Sequence, residues 1–157
     1  MRLAVGILLI CAAAALFLLT GCTSLRESAH TATAVDAATT AAGVGSGVAV
    51  EVNPLVTSPA AFAGLMLARV VGVEVADKLP EPARTETLAG LNSIWWGVGV
   101  SNVLVLIAAS NPVGMVAGVM FGLGWWKSTE MQREFAEVCA RERVTQPDLK
   151  CTFTTPG

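Results

Sequence analysis

Apolar and polar positions along this chain fall in long blocks, not in single alternating steps, and the blocks read as helices. After Arg2, LAVGILLICAAAALFLL gives 17 apolar residues. A second block from about 29 to 50, within SAHTATAVDAATTAAGVGSGVAV, is rich in Ala, Thr and Gly and only weakly apolar. EVNPLVTSP then reads as a turn, and a more apolar helix is expected from about 59 to 78. LAGLNSIWWGVGVSNVLVLIAAS, residues 88–110, carries no charge over 23 residues, which as a helix span roughly 34 Å, enough to cross a bilayer core with some tilt. Asn111-Pro112 breaks it, since proline disfavours the helical region for the residue before it, and VGMVAGVMFGLGWWK returns.

Two antiparallel helical hairpins follow from this pattern, at 29–78 and 88–126, with a polar loop at 79–87 between them. The expected fold is therefore all-α: a membrane-embedded four-helix arrangement, followed by a C-terminal amphipathic helix and tail over 127–157. In the tail, Met131, Phe135, Val138 and Cys139 recur at steps of three and four and are expected to share one face. Gln146 and Pro147 end that helix.

Composition strengthens the membrane reading. The chain is 54% hydrophobic and 14% charged with no tyrosine, against about 25% charged residues in soluble domains. The net charge of −2 and the lack of a basic block speak against nucleic acid as a partner. Trp95 and Trp96 lie about as far before the Asn111-Pro112 turn as Trp125 and Trp126 lie after it. An antiparallel pair brings all four to one level, as in an interfacial aromatic belt. The same spacing also suits the core of a soluble helical hairpin. Gly114, Gly118 and Gly122 at intervals of four make a smooth stripe. Contact with the 88–110 helix is the favoured use of that stripe, with self-association as the alternative.

The N-terminal block ends in Leu19-Thr20-Gly21-Cys22. With Met1-Arg2 and the apolar stretch in front, this tetrad resembles the bacterial lipobox. The resemblance implies a signal peptide over 1–21, removed by cleavage before Cys22, acyl chains on Cys22 (palmitate among them), and a lipidated linker at 22–28. The alternative is an uncleaved transmembrane anchor. With Cys11 discarded and Cys22 lipidated, Cys139 and Cys151 remain as an even pair in an exported chain, and a disulfide between them is expected.

Polar residues inside the apolar blocks carry the remaining chemistry. Asp36 and Thr40 lie on the first helix, Glu51 and Asn53 at the turn, Arg69 on the second helix and Asn102 within the third. Counting back from a turn at 52–57 sets Asp36 opposite residue 73, one turn from Arg69, so an ion pair is geometrically reasonable. An ionisable group at membrane depth costs about 2.5–3.5 kcal/mol on insertion scales and finds a partner. Such a pair serves internal specificity more often than proton relay, and Glu51 and Asn53 are most simply turn and cap residues. His30 reads as a solvated interface residue. The run Asp36, Thr39 or Thr40, Glu51-x-Asn53-Pro54-Leu55 and Arg69 resembles a family of small bacterial integral-membrane proteins of unknown function, over about 36–75.

One histidine and no tight cysteine or acid cluster argue against a transition-metal site, and no cofactor is implied. No nucleophile-base pairing, phosphate loop or paired carboxylates point to an enzyme. The expectation is a lipid-anchored envelope protein with periplasmic termini, in the inner membrane in preference to the outer. It would act as a structural or interaction subunit whose partners are membrane lipid and other envelope proteins or itself. The alternative is a small transport or channel-like element using Asp36, Arg69 and Asn102.

Overall fold

The computed structural model describes residues 24–45, 58–107 and 111–153. Within them the chain is all-helical: α1 Leu25–Gly45, α2 Pro59–Asp77, α3 Ala83–Leu106, α4 Asn111–Ser128 and α5 Glu130–Thr145. Cys22, Glu51 and Asn53, the signal segment 1–21 and the 51–57 turn lie outside the described residues.

Two helices begin earlier than the hydropathy blocks suggest, for the same local reason. Ser24 and Glu27 form a reciprocal capping box: the Ser24 amide donates to Glu27 Oε2 at 3.0 Å and the Glu27 amide to Ser24 Oγ at 3.3 Å. This starts α1 at Leu25 and takes into the helix most of the segment expected to be a linker. In α3, Glu81 Oε2 accepts from the Thr85 amide at 3.2 Å and from Thr85 Oγ1 at 2.7 Å. The helix therefore opens at Ala83 and absorbs part of the 79–87 loop. Ser58 caps α2 by accepting from the Ala61 amide at 3.1 Å, with Pro59 in the first helical turn.

α3 is the central helix, meeting α1, α2, α4 and α5. α1 runs parallel to it, since Leu25, Ser28 and Asp36 meet Asn92, Trp96 and Asn102 in turn. α2 runs antiparallel to α1, pairing Glu74 with Arg26 and Arg69 with Asp36. α4 runs antiparallel to α3 through Ser93–Gly122, Gly97–Gly118 and Ser101–Gly114.

The core is small: Ala29, Ala32, Val73, Ala76 and Leu88 pack with Trp95 and Trp96. Alanines on α1 let that helix come close to the indoles, which explains how so weakly apolar a helix finds a place. Polar residues are buried beside them, among them Ser28, Thr33, Asp36, Thr39 and Asn92. Large apolar side chains instead face outward: Leu67, Val71 and Val75 on α2, Ile94 on α3, and Val116, Val119 and Met120 on α4 are all more than half exposed. Among the described residues α2 and α3 are long and apolar enough to cross a membrane.

α5 departs from the expected face. Its buried residues are Ala136 and Cys139, while Met131 and Val138 are exposed. The reason is how the helix is seated: Arg133 stacks on the Trp126 ring, which turns the Thr129, Arg133 and Ala136 side toward the bundle. Cys139 and Cys151 form the expected disulfide, with Cα atoms 6.1 Å apart. Phe153 is thereby laid edge-on against Phe135, centroids 5.5 Å apart, and Arg143 Nε donates to the Leu149 carbonyl at 2.9 Å. Closing this short loop is worth about 2–3 kcal/mol on the chain-entropy model. Cys139→Ser with Cys151→Ser is therefore expected to loosen the tail and leave the helix bundle intact. Hydrogen exchange should show faster amides confined to about 135–153.

Candidate functional site

Polar residues of the α1–α2–α3 face gather into two clusters, one buried and one partly exposed. The deeper one centres on Asp36, which is 3% exposed. Its Oδ2 accepts from Arg69 Nη1, and its Oδ1 accepts from Asn102 Nδ2 at 2.7 Å and, more weakly, from Thr40 Oγ1 at 3.5 Å. Asn102 Nδ2 also reaches Thr40 Oγ1 at 3.1 Å. The Arg69 guanidinium lies 5.6 Å from the Trp95 ring centroid, within cation–π range. One carboxylate thus ties three helices: its own α1, α2 through the arginine and α3 through the amide.

The second cluster lies toward the start of α1. Arg26 grips Glu74 from Nε and Nη2 at 2.8–3.1 Å, and His30 Nε2 stands 2.8 Å from Glu74 Oε1. Asp77 is shared, 3.7 Å from Arg26 and bonded by Arg84 from both Nε and Nη2. Glu81 completes the set with Arg84 Nη1 at 3.1 Å. Sequence reasoning passed over Arg26, Glu74, Asp77 and Arg84, and it read His30 as solvated. The count that sets Asp36 opposite residue 73 sets His30 opposite 79 and Arg26 opposite 83, beyond Glu74 and Asp77, so it gives no signal for these pairs.

The Gly114, Gly118 and Gly122 stripe lies against α3. A Cβ on Gly118 would stand 2.5 Å from the Gly97 carbonyl oxygen, and one on Gly122 would stand 2.6 Å from that of Ser93. Ser93 Oγ donates across this seam to the Gly122 carbonyl at 2.7 Å. In this chain the stripe is occupied by an intramolecular contact.

The tryptophans need one correction. Trp96 and Trp125 do meet at one level, centroids 5.8 Å apart. Trp95 and Trp96, however, are 7% and 4% exposed, so they belong to the core and not to a lipid-facing girdle. Trp96 Nε1 donates to Ser28 Oγ at 3.1 Å, which fixes its ring beneath α1. The cause is the parallel packing of α1 on α3, which covers the indoles that a lone α3–α4 pair would leave outside. Trp125 and Trp126 are partly exposed.

Among the described residues no group of three or more His, Cys, Asp or Glu side chains is placed to hold a metal ion. On the surface, Lys127 hydrogen-bonds Glu130 and holds that carboxyl below its usual range. Compared with protein-family models, curated proteins and solved structures, the chain matches none of them. The functional reading therefore rests on the chain itself.

Proposed function

We propose that this chain is a lipid-anchored membrane protein of the bacterial cell envelope, acting by structure and interaction and not by catalysis. The observation that carries the proposal is the distribution of side chains: Asp36, Thr39 and Asn92 are buried inside the bundle, while Leu67, Val75, Met115 and Met120 are exposed around it. In water that arrangement leaves a large apolar surface uncovered, which soluble monomers avoid. In a bilayer it is the favourable one, because polar groups find partners inside and apolar ones face lipid.

In this reading the helices insert as two antiparallel hairpins, with Cys22 acylated, both ends of the mature chain periplasmic, and the inner membrane favoured. The resemblance of the Asp36, Thr40, Glu51-x-Asn53-Pro54-Leu55 and Arg69 pattern to a small integral-membrane family supports this reading of the first hairpin. A second reading, a small transport element lined by Asp36, Arg69 and Asn102, draws on the same buried cluster. The close pairing of its charges favours the structural role. Metabolic labelling with a palmitate analogue tests the anchor: the wild type is expected to carry label and Cys22→Ala to carry none. Equal labelling of the two would remove Cys22 from the account.

A further inference from the structure

After α5 ends at Thr145, residues 146–153 follow as a non-helical tail that turns back along it. Leu149, Cys151 and Phe153 are partly buried while Lys150 and Thr152 are exposed, the alternation of an extended segment with one face covered. Their partners on α5 step back about one turn each time: Leu149 meets Arg143, Cys151 meets Cys139 and Phe153 meets Phe135. The match is geometric, since two extended residues advance about 6.6 Å and four helical ones about 6 Å. The tail is thus a strap laid antiparallel on the second half of α5, beyond the Arg133 and Trp126 contact that seats the helix.

Little besides the bridge holds this strap. Among the described residues, the directed noncovalent ties between strap and helix are the Arg143 Nε bond to the Leu149 carbonyl at 2.9 Å and the Phe135–Phe153 ring contact. Two such ties do not offset the conformational entropy of fixing the whole segment. Docking of the strap is therefore set by one covalent bond. That bond is open to attack from one side. Cys139 is 5% exposed, whereas Cys151 is partly exposed and adjoins the exposed Lys150, whose ammonium attracts a thiolate.

We propose that the Cys139–Cys151 bridge is a redox-controlled latch, opened by a dithiol reductant while the helices stay folded. A thiolate of the reductant attacks Cys151 Sγ, the Sγ–Sγ bond breaks, and its electron pair leaves on Cys139 Sγ, which takes up a proton. The second thiolate then attacks the reductant's own sulfur in the mixed disulfide and expels Cys151 Sγ, which is protonated in turn. The reductant ends as a disulfide, and the protein has gained two electrons and two protons. Release of the strap bares the Cys139 thiol and the Phe135 ring beside Met131 and Val138, which are already exposed. One two-electron step thereby turns a strapped helix into an apolar face bearing a thiol. The inference does not depend on the membrane reading above.

The test is reduction of the full chain in mild detergent by dithiothreitol, followed by alkylation and peptide mapping, with the urea-denatured chain as reference. Native and denatured bridges are expected to open at rates within about tenfold of each other, since opening needs access and not unfolding. A native bridge that opens more slowly than that overturns the inference. With glutathione in place of dithiothreitol, the first adduct is expected on Cys151, and an adduct on Cys139 contradicts the proposed attack. Hydrogen exchange should rise on reduction only within about 135–153 and fall back on reoxidation. A strap that stays protected when reduced, or a rise that spreads into α3 and α4, also overturns the inference.

Discussion

Asp36→Asn is expected to destabilise the bundle by about 3–5 kcal/mol, the cost of breaking a buried ion pair by removing one partner. The substitution leaves the Arg69 guanidinium against Trp95 with no compensating charge, in a site where Asp36 is 3% exposed. Arg69→Ala should cost a similar amount, because it leaves the buried carboxylate without its cation, with the amide of Asn102 and the hydroxyl of Thr40 among its neutral donors. Combining the two removes both charges and should recover most of the loss, a coupling that thermal unfolding of the purified proteins in detergent reads directly. Single variants that keep wild-type stability yet lose ion flux in liposomes would instead favour the transport reading.

The second large effect is expected at the seam. Gly118→Val should cost about 3 kcal/mol, at the upper end of overpacking penalties. Its Cβ alone would lie 2.5 Å from the Gly97 carbonyl oxygen and 2.9 Å from Ser101 Cβ, so two backbones must separate before the rest of the side chain is placed. Gly124→Ala is the control, since a Cβ there meets nothing within 4 Å. That change should be neutral or stabilising by up to about 1 kcal/mol through helix propensity. Melting temperatures of the two variants, measured side by side, are expected to move in opposite directions or differ by at least several degrees.

These sites differ in how far the sequence announces them. Helix existence was legible because the apolar runs are long, and the Asp36 and Arg69 pairing was legible because both residues are counted from one turn. The Cys139–Cys151 bridge followed from an even pair of cysteines. Helix starts were missed where polar side chains set them: Ser24-x-x-Glu27 is a capping signature that hydropathy does not register. The parallel seating of α1 on α3 was not legible either. It depends on alanines at 29 and 32 and on a serine that receives the Trp96 indole N–H, residues whose weak individual preferences acquire meaning only in three dimensions. From that one omission follows the misplacement of Trp95 and Trp96 on the surface, whereas His30 was missed across the α1–α2 contact, where it meets Glu74. The face of α5 was misread for a related reason, because one cation–π contact at Arg133 outweighs a modest apolar stripe.

The central claim is that apolar faces of α2, α3 and α4 hold this protein in a bilayer independently of any lipid on Cys22. Alkaline carbonate extraction of membranes carrying the Cys22→Ala form tests it most directly. The account expects the protein to stay in the membrane pellet, held by its helices alone. Release of the Cys22→Ala protein into the soluble fraction, with the wild type retained, would contradict it.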